Sequence, residues 1–187
     1  VEKFRFIEIE PPQEFVKKIG QNDVSKSIDN KFAVSAPANI NLLSEGTITN
    51  KGEYTYYSVR IIAKNALNVS LEFSKFNIAE TDVLSIYTDK ELTDSITSAQ
   101  NNLNNIWATR VYQGNVLNIV LKTSSGKKSS IFISKVNFGY KKFGAAQYGN
   151  PGTSAFCNVN VACPDGNGWG DEANSVALIV ANGQESC

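Results

Sequence analysis

The residues with the most chemistry in them are three cysteines, Cys157, Cys163 and Cys187, which are the only cysteines in the chain. They fall in one C-terminal stretch: Cys157-Asn-Val-Asn-Val-Ala-Cys163-Pro-Asp-Gly-Asn-Gly, then an apolar run, then Cys187 as the last residue. An odd number of cysteines in a secreted chain points to partners that lie elsewhere. We therefore expect the polypeptide to continue past Cys187. Two internal bridges are also open, Cys157–Cys163 or Cys163–Cys187, each leaving one free thiol. The chain has no histidine. This removes Ser-His-Asp and Cys-His catalysis, the commonest general base and histidine-based zinc sites from these 187 residues. Three cysteines without a fourth ligand are a poor zinc site, so no catalytic residue, no metal and no cofactor is expected within the chain.

Weaker candidates accompany the cysteines. Asp165, Asn167 and Asp171 sit among glycines with oxygen ligands at alternate positions, a faint likeness to a calcium loop, although a glycine-shaped turn explains the same residues. Lys141-Lys142 is a basic pair followed by an uncharged stretch from Gly144 through Gly152 to Ser154, dense in Gly, Ala, Pro and Ser. That composition marks a linker and a place for proteolysis. Asn68-Val-Ser70 is a glycosylation triplet on the polar side of an alternating segment, where modification is sterically possible, although such triplets are common by chance. Trp107 with Tyr54, Tyr56 and Tyr57 would make a sugar- or peptide-binding patch if they met. Aromatic residues in sheets more often pack across strands.

The elements that must carry these residues are strands. Apolar residues make up 42 % of the chain and charged residues 19 %, with 18 Lys+Arg against 18 Asp+Glu. That balance gives no reason to expect nucleic acid as a partner. There is no run of apolar residues long enough to span a membrane as a helix. The chain opens on Val1 with no signal-peptide pattern, as expected of a polypeptide already trimmed at its N-terminus. Leu67, Val69, Leu71 and Phe73 alternate with Asn68, Ser70, Glu72 and Ser74, the pattern of a strand with one buried face. Similar signals occur at 47–49, 54–63, 83–88, 106–112, 116–123 and 131–138. Turn residues separate them at Asn50-Lys51-Gly52, Asn65 and Gly114-Asn115. Residues 14–19 read as a short helix or a turn, and 35–43 as a loop leading to a strand. Short strands at this spacing predict an all-β chain, an antiparallel β-sandwich of jelly-roll type. The organisation we expect is an N-terminal segment 1–45 without assignment, a sandwich over 46–143, a linker over 144–154, and a separate unit over 155–187.

Taken in register, that last unit resembles the start of the protease domain of bacterial lysyl endopeptidase-like, trypsin-like serine peptidases. The likeness rests on the stub Gly152-Thr-Ser-Ala-Phe before Cys157, the short Asn/Val strand, Cys163-Pro164-Asp165-Gly166, the apolar strand Ser175 to Ala181, and Cys187. Upstream, Val136-Asn137-Phe138-Gly139-Tyr140-Lys141 is similar to the end of that family's pro-domain, and Leu67 to Phe73 and Leu84 to Tyr87 are similar to a strand pair within it. The stretch Trp169 to Asn174 departs from the family pattern. The resemblance implies a secreted, extracytoplasmic bacterial precursor whose partners are the rest of its own protease domain and protein or peptide substrates. It also implies that Cys157, Cys163 and Cys187 each pair with a cysteine outside this chain. Such a bridge would contribute roughly 3–5 kcal/mol. The sandwich would be a folding-assisting or inhibitory propeptide, and Lys141, Lys142, Gly144 and Gly152 the processing region, with cleavage after Lys142. The rival expectation is a non-catalytic secreted sandwich that binds glycans or a cell-surface partner. A third is a peptidase-like domain that has lost its triad.

Overall fold

The computed structural model describes residues 4–20, 31–88, 91–124 and 129–141, together with the backbone of 179–181 and 184–186. Two sheets pack face to face. The first contains β1 (Arg5–Ile9), β3 (Thr47–Lys51), β4 (Tyr54–Ala63), β6 (Val83–Tyr87), β7 (Leu92–Ile96) and β10 (Val116–Thr123), along the path β1-β4-β10-β6-β7 with β3 also on β4. The second contains β2 (Ala33–Asn41), β5 (Asn68–Asn77), β8 (Trp107–Ala108), β9 (Tyr112–Gln113) and β11 (Ser130–Gly139), in the order β2-β11-β5-β8 with β9 also on β5. The expected all-β sandwich is what the chain forms. A separate hairpin pairs β12 (Ile179–Ala181) with β13 (Gln184–Ser186).

Alternation explains the core. Val59, Ile61 and Ala63 of β4, Leu117, Ile119 and Leu121 of β10, and Leu84 and Ile86 of β6 turn one way. They meet Val69, Leu71 and Phe73 of β5, Val136 and Phe138 of β11, and Val34 and Ala36 of β2 in one apolar cluster. Burying each Val, Leu, Ile or Phe among them contributes about 1.5–3 kcal/mol.

The described residues before 46 belong to this sandwich. β1 adds to β4 in parallel, Ile7 opposite Ile61, on the edge where β3 pairs antiparallel with the first half of β4. This is a parallel pair in an otherwise antiparallel sheet. The stretch that reads as a loop at 35–43 is largely strand β2. Pro37 conceals it, because proline cannot donate to a ladder, but β2 is an edge strand and tolerates the loss. Helix α1 (Gln13–Gly20) follows Pro11 and Pro12 and puts Phe15 fully into the core, edge-on to Phe138 with centroids 5.4 Å apart. The turn α2 (Leu42–Glu45) carries the chain from the second sheet to the first. Its Asn41 cap accepts from the Leu43 N–H at 3.2 Å.

One expected strand, 106–112, is interrupted. Its ends are β8 and β9, both on β5. Between them the Leu71 N–H donates to Thr109 Oγ1 at 2.9 Å, so a side chain replaces the backbone acceptor that a continuous strand would offer. The asparagine-rich tract before it does similar work: Asn101 Oδ1 accepts from the Ile78 N–H and Asn101 Nδ2 donates to the Ile78 carbonyl, both at 2.8 Å.

Candidate functional site

The end of β11 is built residue by residue from Asn137-Phe-Gly-Tyr-Lys141. Asn137 crosses three strands on the face of the second sheet away from the core. It accepts from Ser35 Oγ at 2.5 Å and donates to Ser70 Oγ at 3.1 Å and Glu72 Oε1 at 3.2 Å, and Glu72 in turn pairs with Lys135 at 3.0 Å. Phe138 enters the core. Gly139 lies opposite Asn68, and a Cβ at Gly139 would stand 1.9 Å from Asn68 Oδ1. The missing side chain is the space that the Asn68 amide fills. Tyr140 is buried and its hydroxyl donates to the Lys31 carbonyl at 2.6 Å, while its N–H donates to the Phe32 carbonyl at 2.9 Å. Lys141 ends the described segment. Its N–H donates to Phe32 O at 3.4 Å and its carbonyl accepts from Asn68 Nδ2 at 2.7 Å.

This arrangement corrects the expectation for Asn68. The residue does lie on the side of β5 away from the core, but it is only 1 % exposed and its amide nitrogen, the atom a glycan would modify, is bonded to Lys141. Alternation specifies the face a residue takes and not what covers that face.

The aromatic patch is corrected too. Trp107 is on the second sheet, stacked on Phe76 at 4.7 Å and packed beside Phe73, and Tyr57 turns toward the core. Tyr54 and Tyr56 turn outward on the first sheet. There they join a different set: Lys122 Nζ lies 3.7 Å from the Tyr54 ring, Lys51 Nζ 5.5 Å from Tyr56, and the Arg60 guanidinium 5.7 Å from Phe6, which is 64 % exposed. Cations over ring faces fit the quadrupole of the ring. Within this face the Asn118 Oδ1 is buried and has no hydrogen-bond partner among the described residues. Sequence reasoning found the tyrosines but not their cations, because Lys122 and Lys51 reach them only through the pairing of β10 and β3 with β4.

A third constellation closes one edge of the sandwich. Asp94 on β7 accepts from Arg110 Nε at 3.0 Å and from the Tyr112 hydroxyl at 2.5 Å, both on Oδ2, and Arg110 Nη2 donates to the Thr93 carbonyl at 2.9 Å. Burial, and then the bond to Asp94, push the Tyr112 phenol above its ordinary value. The bond to Asp94 raises the Arg110 guanidinium. Asp94 comes from the first sheet and Tyr112 from the second, so the group is a strap between sheets. A fourth group is internal: buried Asp82 accepts from Ser129 Oγ at 2.7 Å and from the Ser124 N–H at 3.2 Å. This hydroxyl–carboxylate pair has no imidazole between its members and no solvent access for a substrate, so it joins two loops rather than activating a nucleophile.

Of the residues singled out from the sequence, Lys141 is placed as described. Cys157, Cys163, Cys187, Lys142, Gly144, Gly152, Asp165, Asn167 and Asp171 lie outside the described residues. Among the described residues, no group of three or more cysteine and acidic side chains could hold a metal ion, and no helix is long and apolar enough to cross a membrane. No family model matches the chain.

Proposed function

We propose that residues 1–143 form the accessory pro-domain of a secreted bacterial serine endopeptidase of trypsin-like, lysyl endopeptidase-like type, and that 155–187 begin its protease domain. The pro-domain assists folding of the enzyme or blocks it until cleavage in the processing region releases it. The triad and oxyanion hole that would hydrolyse the peptide bond belong to residues other than these, since the chain has no histidine. The observation that carries the reading is the order of parts along the chain. A sandwich is secured as far as Lys141 by Asn68; a basic pair, an uncharged Gly/Ala/Ser-rich stretch and the Cys157–Cys187 pattern follow. The test is N-terminal sequencing of the secreted, active enzyme. An N-terminus between Phe143 and Cys157 is expected, whereas active enzyme that retains an intact 142–155 segment overturns the processing.

A second reading has its own observation. The outward face of the first sheet gathers Phe6, Tyr54 and Tyr56 with Arg60, Lys51 and Lys122. It would suit a non-catalytic module that binds a glycan or an acidic cell-surface partner. Retention of the chain on an anionic glycan matrix, lost in Tyr54→Ala/Lys122→Ala, would favour it.

A further inference from the structure

We propose, resting on the reading of this chain as a non-catalytic binding module, that the outward face of the first sheet takes a linear anionic glycan, a polysaccharide bearing sulfate or carboxylate groups, through cations seated on aromatic rings. Strand register sets one row across five strands of that face: Phe6 of β1, Arg60 of β4, Asn118 of β10, Tyr87 of β6 and Leu92 of β7. At ~4.8 Å between neighbouring strands the row spans about 19 Å, long enough for an oligomer rather than a single sugar. Its two ends, Phe6 and Leu92, are exposed. Lys51, Tyr54, Tyr56 and Lys122 stand further along the same face. The outward positions of β3, β4, β10 and β6 carry no acidic residue, and Glu8 on β1 is paired with Lys64 at 3.4 Å. The face therefore complements negative charge. With 18 Lys+Arg against 18 Asp+Glu, the chain as a whole lacks the excess of positive charge that marks a nucleic-acid binder. Lys122 Nζ lies 3.7 Å from the Tyr54 ring, Lys51 Nζ 5.5 Å from Tyr56 and the Arg60 guanidinium 5.7 Å from Phe6. A cation seated on a ring is oriented before the ligand arrives, so less freedom is lost on binding. A ring face given to a cation is closed to stacking on a neutral sugar, which leaves anchored positive charge as the chemistry on offer. Hydrogen bonding then separates a glycan from an acidic peptide. Asn118 Oδ1 has no donor among the described residues, and it turns toward a ligand without breaking a bond to them. A hydroxyl-rich chain supplies that donor, whereas an ionised carboxylate only accepts.

The assay is isothermal titration calorimetry of the intact 187-residue chain with dextran sulfate, polygalacturonate, neutral dextran and polyglutamate, each at low ionic strength. Wild type should bind at least one of the two anionic glycans and lose affinity as salt is added. Neutral dextran should bind at least about tenfold more weakly, as expected when two or three exposed ion pairs are missing, and polyglutamate severalfold more weakly. Lys122→Gln should weaken the anionic glycan severalfold, while Lys122→Arg should bind like wild type. Tyr54→Leu leaves every charge in place and should weaken binding about two- to fivefold through loss of the ring that seats Lys122, whereas Tyr54→Phe should not. Denaturation midpoints are measured alongside, and where a variant fails to fold the ranking of the four probes by wild type decides. Neutral dextran bound as tightly as the anionic glycans would leave a glycan-binding module and overturn the anionic assignment. Binding to none of the glycans would overturn the module reading and the proposal together. Polyglutamate bound as tightly as either anionic glycan would make the partner an acidic protein, and an unchanged affinity in Lys122→Gln or Tyr54→Leu would remove the seated cation from the site; each of these overturns the proposal.

Discussion

Gly139→Ala tests the fit at the end of β11 most sharply. Gly139 is not among the glycines with positive φ, so alanine meets no backbone strain and the effect is steric. The added methyl would lie 1.9 Å from Asn68 Oδ1, 2.4 Å from its Cγ and 2.6 Å from its Nδ2. Those atoms cannot retreat without losing the 2.7 Å bond to the Lys141 carbonyl. Overpacking costs about 1–3 kcal/mol and a buried amide left unpaired about 1–3 more, so we expect a loss of roughly 2–6 kcal/mol. Urea unfolding followed by Trp107 fluorescence reads it, since that indole is stacked on Phe76 in the folded state. The refuting results come from a double-mutant cycle. Asn68→Ala removes the group that clashes, so Gly139→Ala in that background should cost less than about 1 kcal/mol. A single Gly139→Ala within about 0.5 kcal/mol of wild type, or additive effects of the two changes, would show that the glycine does not exist to seat the amide.

Three further outcomes follow from the packing. Phe15→Ala should destabilise by roughly 3–5 kcal/mol, because the ring is fully buried against Phe138, and a loss below about 1 kcal/mol in chemical denaturation would mean that α1 does not contribute to the core. Asp82→Ala removes the acceptor of the Ser129 hydroxyl proton and of the Ser124 N–H, while Ser129 Oγ still accepts from the Ala79 N–H at 2.9 Å, and should cost about 1–3 kcal/mol by the same measurement. Tyr112 keeps its proton in the folded state above its ordinary value of 10.0, so over that range the unfolded chain binds fewer protons than the native one. Its contribution to stability is therefore intact below about pH 10 and falls as pH rises, by up to about 1.4 kcal/mol per pH unit. Denaturation midpoints from pH 9 to 11.5 should show a shallower decline for Tyr112→Phe than for wild type, and identical declines would contradict the assignment.

Much of the sandwich was legible, and the parts that were not have physical reasons. The strand at 116–123 coincides with β10 because it alternates in the sequence. β4 reads as a strand from its β-branched and aromatic residues, and the extent of β11 was recognised although a bulge between Ile133 and Lys135 breaks its alternation. β2 was hidden by Pro37, which only an edge position allows, and β7 is too short and polar to stand out until Asp94 finds Arg110 and Tyr112. The pairing of β1 with β4 joins residues over fifty apart, and local periodicity carries no trace of it. At the candidate site, Asn137-Phe-Gly-Tyr-Lys141 was recognisable as a motif, while its purpose depended on Asn68, a residue whose place in an alternating pattern pointed to solvent. The cations over Tyr54 and Tyr56 are likewise products of strand register.

The central claim is that the cysteine segment opens a serine peptidase to which the sandwich is the pro-domain. The most direct measurement is labelling of the cells that produce the protein, and of their medium, with a biotinylated fluorophosphonate, which reacts with active serine hydrolases, followed by peptide sequencing of the captured polypeptide. The account predicts that the labelled species carries the peptides around Cys157, Cys163 and Cys187 and lacks those of β4, β5 and β11. Recovery of the Cys157–Cys187 peptides only from unlabelled protein would contradict it.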